Sequence, residues 1–225
     1  MKFKKTLKSL AVISALLAAS QVSATGWNSD NVYEVTVTNI TKSIIFTPVM
    51  IAAHSEKIDF FEVGEAASAA LERVAEGGDT GPIKAMFTGS ADEVIETTGL
   101  LMAGQSSTVT FESSLQAPKF SLASMLLPTN DAFAAIESIK LPRGKNQKTV
   151  YVRAYDAGTE ANDENCAHIP GGASCAGEAF SAEDASDEGF VYVHNGIHGI
   201  ADLEASKYTW NNPVMKVTIK RITNQ

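Results

Sequence analysis

The sequence predicts a mostly β protein, an antiparallel β-sandwich of about eight strands with one substantial helix and loop-rich insertions. Three observations carry that expectation. Short segments rich in Val, Ile, Thr and aromatic residues recur along the chain, bounded by Gly, Pro, Asn or Asp, and several alternate apolar with polar side chains as a half-buried strand does. Only residues 65–78 carry a sustained helical stripe. No run of strand–helix–strand units is present, which argues against a parallel sheet.

Taken in order, residues 1–24 combine a Lys-rich start, an apolar run from about Leu10 to Ala19, and Val22 and Ala24 at the minus-three and minus-one positions of a cleavage site. This pattern predicts a secretory signal peptide. The apolar run is shorter than the roughly 20 residues a spanning helix needs, and no later segment is apolar enough to span. Residues 25–225 are then expected to form one domain. With the four leader lysines removed, fourteen basic residues face 26 acidic ones, a net charge of −12. Such a surface disfavours nucleic acid, whose phosphates need a basic partner.

NVYEVTVTNI, residues 31–40, sets Tyr33, Val35 and Val37 on one face and Glu34, Thr36 and Thr38 on the other. IIFTPVMIAAH, residues 44–54, is nearly all apolar, and Pro48 places it near a sheet rim. EAASAALERVAEGG, residues 65–78, reads as the helix, with Ala66, Ala70, Val74 and Leu71 on its stripe and Gly77 and Gly78 ending it. The glycine-rich EGGDTGP that follows reads as a C-cap and turn that does not open a further helix. GPIKAMFTG and ADEVIETTGLLMAG suggest a loop-rich layer with a turn or two of helix. Strand patterns return in STVTFES, KFSLASMLL, KTVYVRAY, GFVYVHN and PVMKVTIKRI, and LLPTNDAFAAI reads as a loop.

Cys166 and Cys175, the only cysteines, flank a loop with Pro170, Gly171 and Gly172. In an oxidising compartment they are expected to pair, with free or metal-binding thiols as the alternative.

No Lys or Arg lies between Arg153 and Lys207, yet residues 156–188 hold nine acids. Asp156 and Glu160 follow a strand directly, with Gly158 between them to let the backbone fold back. Such a turn can aim both carboxylates at one hard cation, and Ca²⁺ tolerates irregular loops better than Mg²⁺. An EF-hand is excluded, because the sixth position from Asp156 is Ala161 and the twelfth is Ala167. Asn130 and Asp131, at another strand end, could converge on the same ion. Asp163, Glu164 and the later acids are expected to form a solvated acidic skirt. Four histidines are present; His54, His194 and His198 offer an alternative Cu or Zn site, with His194 and His198 in a Gly- and Asn-rich loop, and His168 expected to be exposed.

TPVMIAAHS, FFEVGEAASAALERVAEGGDTGPI, LLPTNDAF, VYVRAYDAGTE, VHNGIHGIADL and WNNPVMKVTI resemble, in that order, the spondin N-terminal domain family in its bacterial secreted form. The most specific stretches are the run through Gly64, Ala67, Ser68, Leu71, Ala75 and Glu76, and the loop from Asp156 to Glu160. The resemblance implies an extracellular antiparallel sandwich with a calcium ion held by loops at one end, here by Asp131, Asp156 and Glu160, and roles in adhesion or matrix binding. Glu160 stands where an Asp is expected in animal members. No Gly-x-Ser-x-Gly elbow, His-Glu-x-x-His or phosphate-cradling loop is found, so a non-catalytic module is expected. The reading is a secreted or periplasmic calcium-binding module for an extracellular protein or glycan; the alternative is a Cu or Zn binder on the histidines.

Overall fold

The computed structural model describes residues 31–113, 118–144, 146–171, 175–180 and 187–222; the expected signal peptide lies outside them. Eleven strands and three short helices follow one another as β1 (Asn31–Asn39), β2 (Ile45–Phe46), β3 (Met50–His54), α1 (Ala69–Gly77), α2 (Gly81–Met86), β4 (Ala91–Glu96), β5 (Ser106–Ser113), β6 (Lys119–Leu127), β7 (Ala132–Lys140), β8 (Gln147–Val152), β9 (Ala154–Asp156), β10 (Tyr192–Val193), α3 (Ala205–Tyr208) and β11 (Met215–Ile222).

They form two antiparallel sheets. The smaller has the order β5-β1-β11-β8, the larger β10-β9-β7-β6-β3-β4, with β2 paired to the end of β6. In the smaller sheet the alternation read in the sequence is realised. Val35 faces Ile219 and Val37 faces Val217 across β1 and β11, and all four are fully buried. The outer face carries Thr36 and Thr38, whose hydroxyls meet those of Thr108 and Ser106 at 2.9 and 2.8 Å.

The central strands of the larger sheet are buried on both faces. Ile51, Ala53, Phe120, Leu122, Ala134 and Ile136 pack toward the smaller sheet. Met50, Ala52, Ala123, Phe133 and Ala135 pack instead with Leu71, Val74 and Ala75 of α1 and Ile83 of α2. A strand covered on both sides needs no alternation, which is why β3 and β6 read as continuous apolar runs. Two differences from expectation, at β3 and β7, follow from this, and a third lies at the largely exposed edge strand β4. β3 lies inside the sheet between β6 and β4, and Pro48 merely separates it from β2. β7 occupies the segment read as a loop, because its small residues Ala132, Ala134 and Ala135 signal no strand yet fit tightly between layers. β4 supplies the sheet edge from a stretch read as loop-rich.

Helix α1 starts at the N-cap Ser68, whose Oγ accepts from the Leu71 N–H at 3.2 Å, and ends at Gly78 with φ 66°. The glycine-rich stretch after it does both jobs: it closes α1 and opens α2, with Pro in the first turn. Cys166 and Cys175 form a disulfide.

Candidate metal centre

The acids come together at one pole of the sandwich because of strand register. Ala132 at the start of β7 pairs with Asp156 at the end of β9, and the Asp131 carbonyl accepts from the Ala157 N–H at 3.3 Å. The β6–β7 turn is held by Thr129, whose hydroxyl donates to the Leu126 carbonyl at 2.5 Å and accepts from the Ala132 N–H at 3.2 Å. That fixes Asp131 beside the loop that follows β9.

Asp131 Oδ2 then accepts from the N–H groups of Thr159 and Glu160, at 2.9 and 3.3 Å. Asp156 Oδ1 accepts from the Gly158 N–H at 2.9 Å, and its Oδ2 from Asn162 Nδ2 at 2.6 Å. Gly158 is required twice over: its φ is +66°, and a Cβ there would meet the Phe190 carbonyl oxygen at 2.3 Å. Asp131, Asp156 and Glu160 are all buried. The Asp131 carboxylate is therefore seated on the turn from Asp156 to Glu160, which meets it through the backbone N–H groups of Thr159 and Glu160.

Two more carboxylates join them. Glu76, at the end of α1, is buried and hydrogen-bonded by the Thr159 side chain. Glu188 shares Asn162 Nδ2 with Asp156, at 3.3 Å. Glu76 sits in the helix motif quoted above, but its direction toward this pole depends on how α1 packs. Glu188 reaches the site from a loop far away in sequence. No short-range signal marks either.

The electrostatics are unbalanced. Burial, then the Asp156 carboxylate, lift Asp131 well above the usual carboxylate range. Burial lifts Asp156 to about 6, against hydrogen bonds from Asn162 and Gly158. Burial also lifts Glu76 to about 7, with Glu160 adding to the rise. His194 Nε2 stands 3.6 Å from Asp156 Oδ2, yet burial lowers His194 to about 4. Although the distance is that of an ion pair, the imidazole is neutral at pH 7 and supplies no compensating charge. Among the described residues no Lys or Arg pairs with Asp131, Asp156 or Glu188.

Three buried polar atoms at this pole have no hydrogen-bond partner: Asp131 Oδ1, Glu188 Oε2 and His194 Nε2. Leaving such atoms unpaired costs about 1–3 kcal/mol each, and more for charged groups. His194 Nε2 is a donor, since its Nδ1 accepts from the Gly196 N–H, but the two unpaired carboxylate oxygens and the crowded like charges suit a hard divalent cation. Among the described residues, no three His, Cys, Asp or Glu side chains are closed around one point as a finished ligand set. A cation there would have to draw Asp131 and its neighbours inward and complete its shell with other oxygens.

The remaining candidates are placed differently. His54 is buried at the far end of β3, its Nδ1 2.7 Å from the Glu56 carbonyl and its Nε2 2.9 Å from Ser121 Oγ. It pairs with Lys119 at the start of β6, whereas the acids lie beyond that strand's end, about 26 Å away at ~3.3 Å per residue. The set His54, His194 and His198 is therefore not assembled. His194 and His198 do share a loop, but His194 is buried and His198 exposed.

The acidic skirt also needs correction. Glu164 is buried and accepts from the N–H groups of His198, Gly199 and Ile200 at 2.5, 2.7 and 3.0 Å. Asp163 accepts from Asn130 Nδ2 at 3.0 Å and lies 2.6 Å from His168 Nδ1, whose side chain is 45% exposed. These two acids tie loops together.

Fold and site together define a β-sandwich domain with an acidic loop pole closed by the turn after its ninth strand. The family model of the spondin N-terminal domain, Spondin_N, matches residues 24–166, and the chain belongs to that family of extracellular domains. The matched stretch contains Asp131, Asp156 and Glu160 and ends before Glu188 and His194. No curated protein matches the chain. The disulfide, and the lack among the described residues of any helix long and apolar enough to cross a membrane, fit a secreted protein.

Proposed function

We propose that the chain is an exported, non-catalytic binding module whose acidic pole holds a calcium ion on Asp131, Asp156 and Glu160 and presents the surrounding loops to an extracellular protein or glycan. The observation that carries the reading is Asp131 Oδ1, a fully buried carboxylate oxygen with no donor, beside a second buried carboxylate and with no Lys or Arg among the described residues paired to either. Calcium would neutralise the pair and fix the turn from 156 to 160 against the end of β7. Adhesion follows from the family's extracellular setting and from the loop-borne site, since binding surfaces concentrate on loops held by a rigid frame.

Isothermal titration of chelator-treated protein with CaCl₂ tests the ion. Saturable one-site binding, lost in Asp156→Ala, supports the reading; no heat and no change in melting temperature with calcium overturns it. A second reading, Cu or Zn in place of calcium, draws on the His194 imidazole beside Asp156; because its Nδ1 accepts from the Gly196 N–H at 2.9 Å, its Nε2 carries the proton and would have to give it up to a metal. Elemental analysis of untagged protein separates the two: copper or zinc lost in His194→Ala would favour it.

A further inference from the structure

At the pole opposite the acids, the two sheets part around a cavity of about 650 Å³ whose wall includes Tyr33, Lys119, Lys140, Leu141, Arg143 and Arg221. The cations come from both layers. Arg221 lies on β11 directly across from Tyr33 of β1, while Lys119 of β6 and Lys140 of β7 face each other in the larger sheet. Like charges directly opposite in an antiparallel pair are destabilising, and nothing in the packing requires two lysines there. On a chain with an excess of acids, none of these four cations pairs with a carboxylate among the described residues.

Arg221 Nε is buried without an acceptor. An N–H donor left unpaired in this way is costly, and among the described residues no acceptor holds the partly exposed Arg221 side chain, so the guanidinium at the cavity wall is free for an oxyanion. Arg221 and Arg143 also lie near enough to Tyr33 to act on its hydroxyl, drawing its pKa down against the rise that burial causes. The volume lies within the range of small-molecule sites. Leu141 and Pro118 supply an apolar wall, and Asn31 and Ser55 supply hydrogen-bonding side chains beside it.

We infer that this cavity binds a small polar molecule carrying a phosphate or sulfate ester, with the tetrahedral oxyanion held between the Arg221 guanidinium and the Lys119–Lys140 pair. A guanidinium fork plus separate ammonium groups from another wall match an anion with several outward oxygens better than a flat carboxylate. The site is distinct from the acidic pole and needs no calcium.

The test is isothermal titration at low ionic strength, in the presence of chelator, with pyrophosphate, glucose 6-phosphate, glucose 6-sulfate and unmodified glucose. At least one ester binds and glucose does not; the tighter of the two sugar esters identifies the natural head group. Affinity falls with added salt. Lys119→Gln/Lys140→Gln and Arg221→Gln each weaken binding about tenfold or more, the factor a lost charge-assisted hydrogen bond carries. Lys42→Gln, at an exposed site bonded to the Ser206 carbonyl, leaves it unchanged. Lys140 is itself exposed, so Lys140→Gln alone provides a variant whose core is untouched and must also weaken binding. Absence of binding by both sugar esters at millimolar concentration, whether or not pyrophosphate binds, or equal binding by wild type and the Lys140→Gln protein, overturns the inference. Because chelator is present throughout, failure here leaves the calcium reading standing, and failure of calcium binding leaves this one standing.

Discussion

Replacing Asp131 by Asn keeps the shape of the side chain and removes one of the two trapped charges. In the wild type without calcium, burial lifts Asp156 to about 6, and that burial remains in the variant. Asp131 is lifted as well, with Asp156 as its second cause. The carboxamide oxygen introduced at this position can still accept from the Thr159 and Glu160 N–H groups, while the amide nitrogen places a donor where Oδ1 had no partner. With the like charge and the unpaired oxygen both removed, chelator-treated Asp131→Asn protein is expected to be about 2 kcal/mol more stable than wild type at pH 7, within the about 1–3 kcal/mol that an unsatisfied buried group costs, a Tm higher by about 5 °C for a domain of this size. Calcium at one hundred times its Kd adds about 2.7 kcal/mol to the wild type, or roughly 5–10 °C, and adds almost nothing to the variant. Differential scanning calorimetry with chelator and then with calcium reads both effects. A variant less stable than wild type in chelator, together with an undiminished calcium shift, would refute the account of trapped charge at this pole.

Carboxyls with raised folded-state values contribute stability that is fully present below their unfolded values and lost as pH rises through the folded ones. For Asp156 and Glu76 that window runs from about pH 4 to about pH 7, so calcium-free protein should lose stability across it in urea titrations, and calcium should flatten the loss. Gly158→Ala is expected to destabilise by at least about 2 kcal/mol, from the left-handed backbone and the Phe190 carbonyl in its path, measured by chemical denaturation. Glu164→Gln sets an amide group against the N–H groups at 198–200 and should cost about 2 kcal/mol, with faster hydrogen exchange at those three amides and little change in the β-sheet core.

Legibility in the sequence followed burial geometry. β1 and β11 have one face in solvent, so Val35, Val37, Val217 and Ile219 announce themselves by alternation. β7 is sealed between the smaller sheet and α1, and Ala132, Ala134 and Ala135 satisfy both neighbours with side chains that favour no strand. The catalogue of acids was readable in part for a similar reason. Asp156 and Glu160 share one turn and Asp131 begins the adjoining strand, so local spacing and family likeness suffice. Glu76 and Glu188 reach the same place through helix docking and a long excursion, which no local pattern encodes. His54 stands in a stretch that matches the family, yet its ring bonds to Glu56 and Ser121 at the other end of β3, where it braces strand to loop.

The acid-bearing turn and the lysine- and arginine-lined mouth stand at opposite ends of β6. The screening length at physiological ionic strength is only about 8 Å, so a charge gained or lost at one tip is scarcely felt at the other, and each can be loaded or emptied independently.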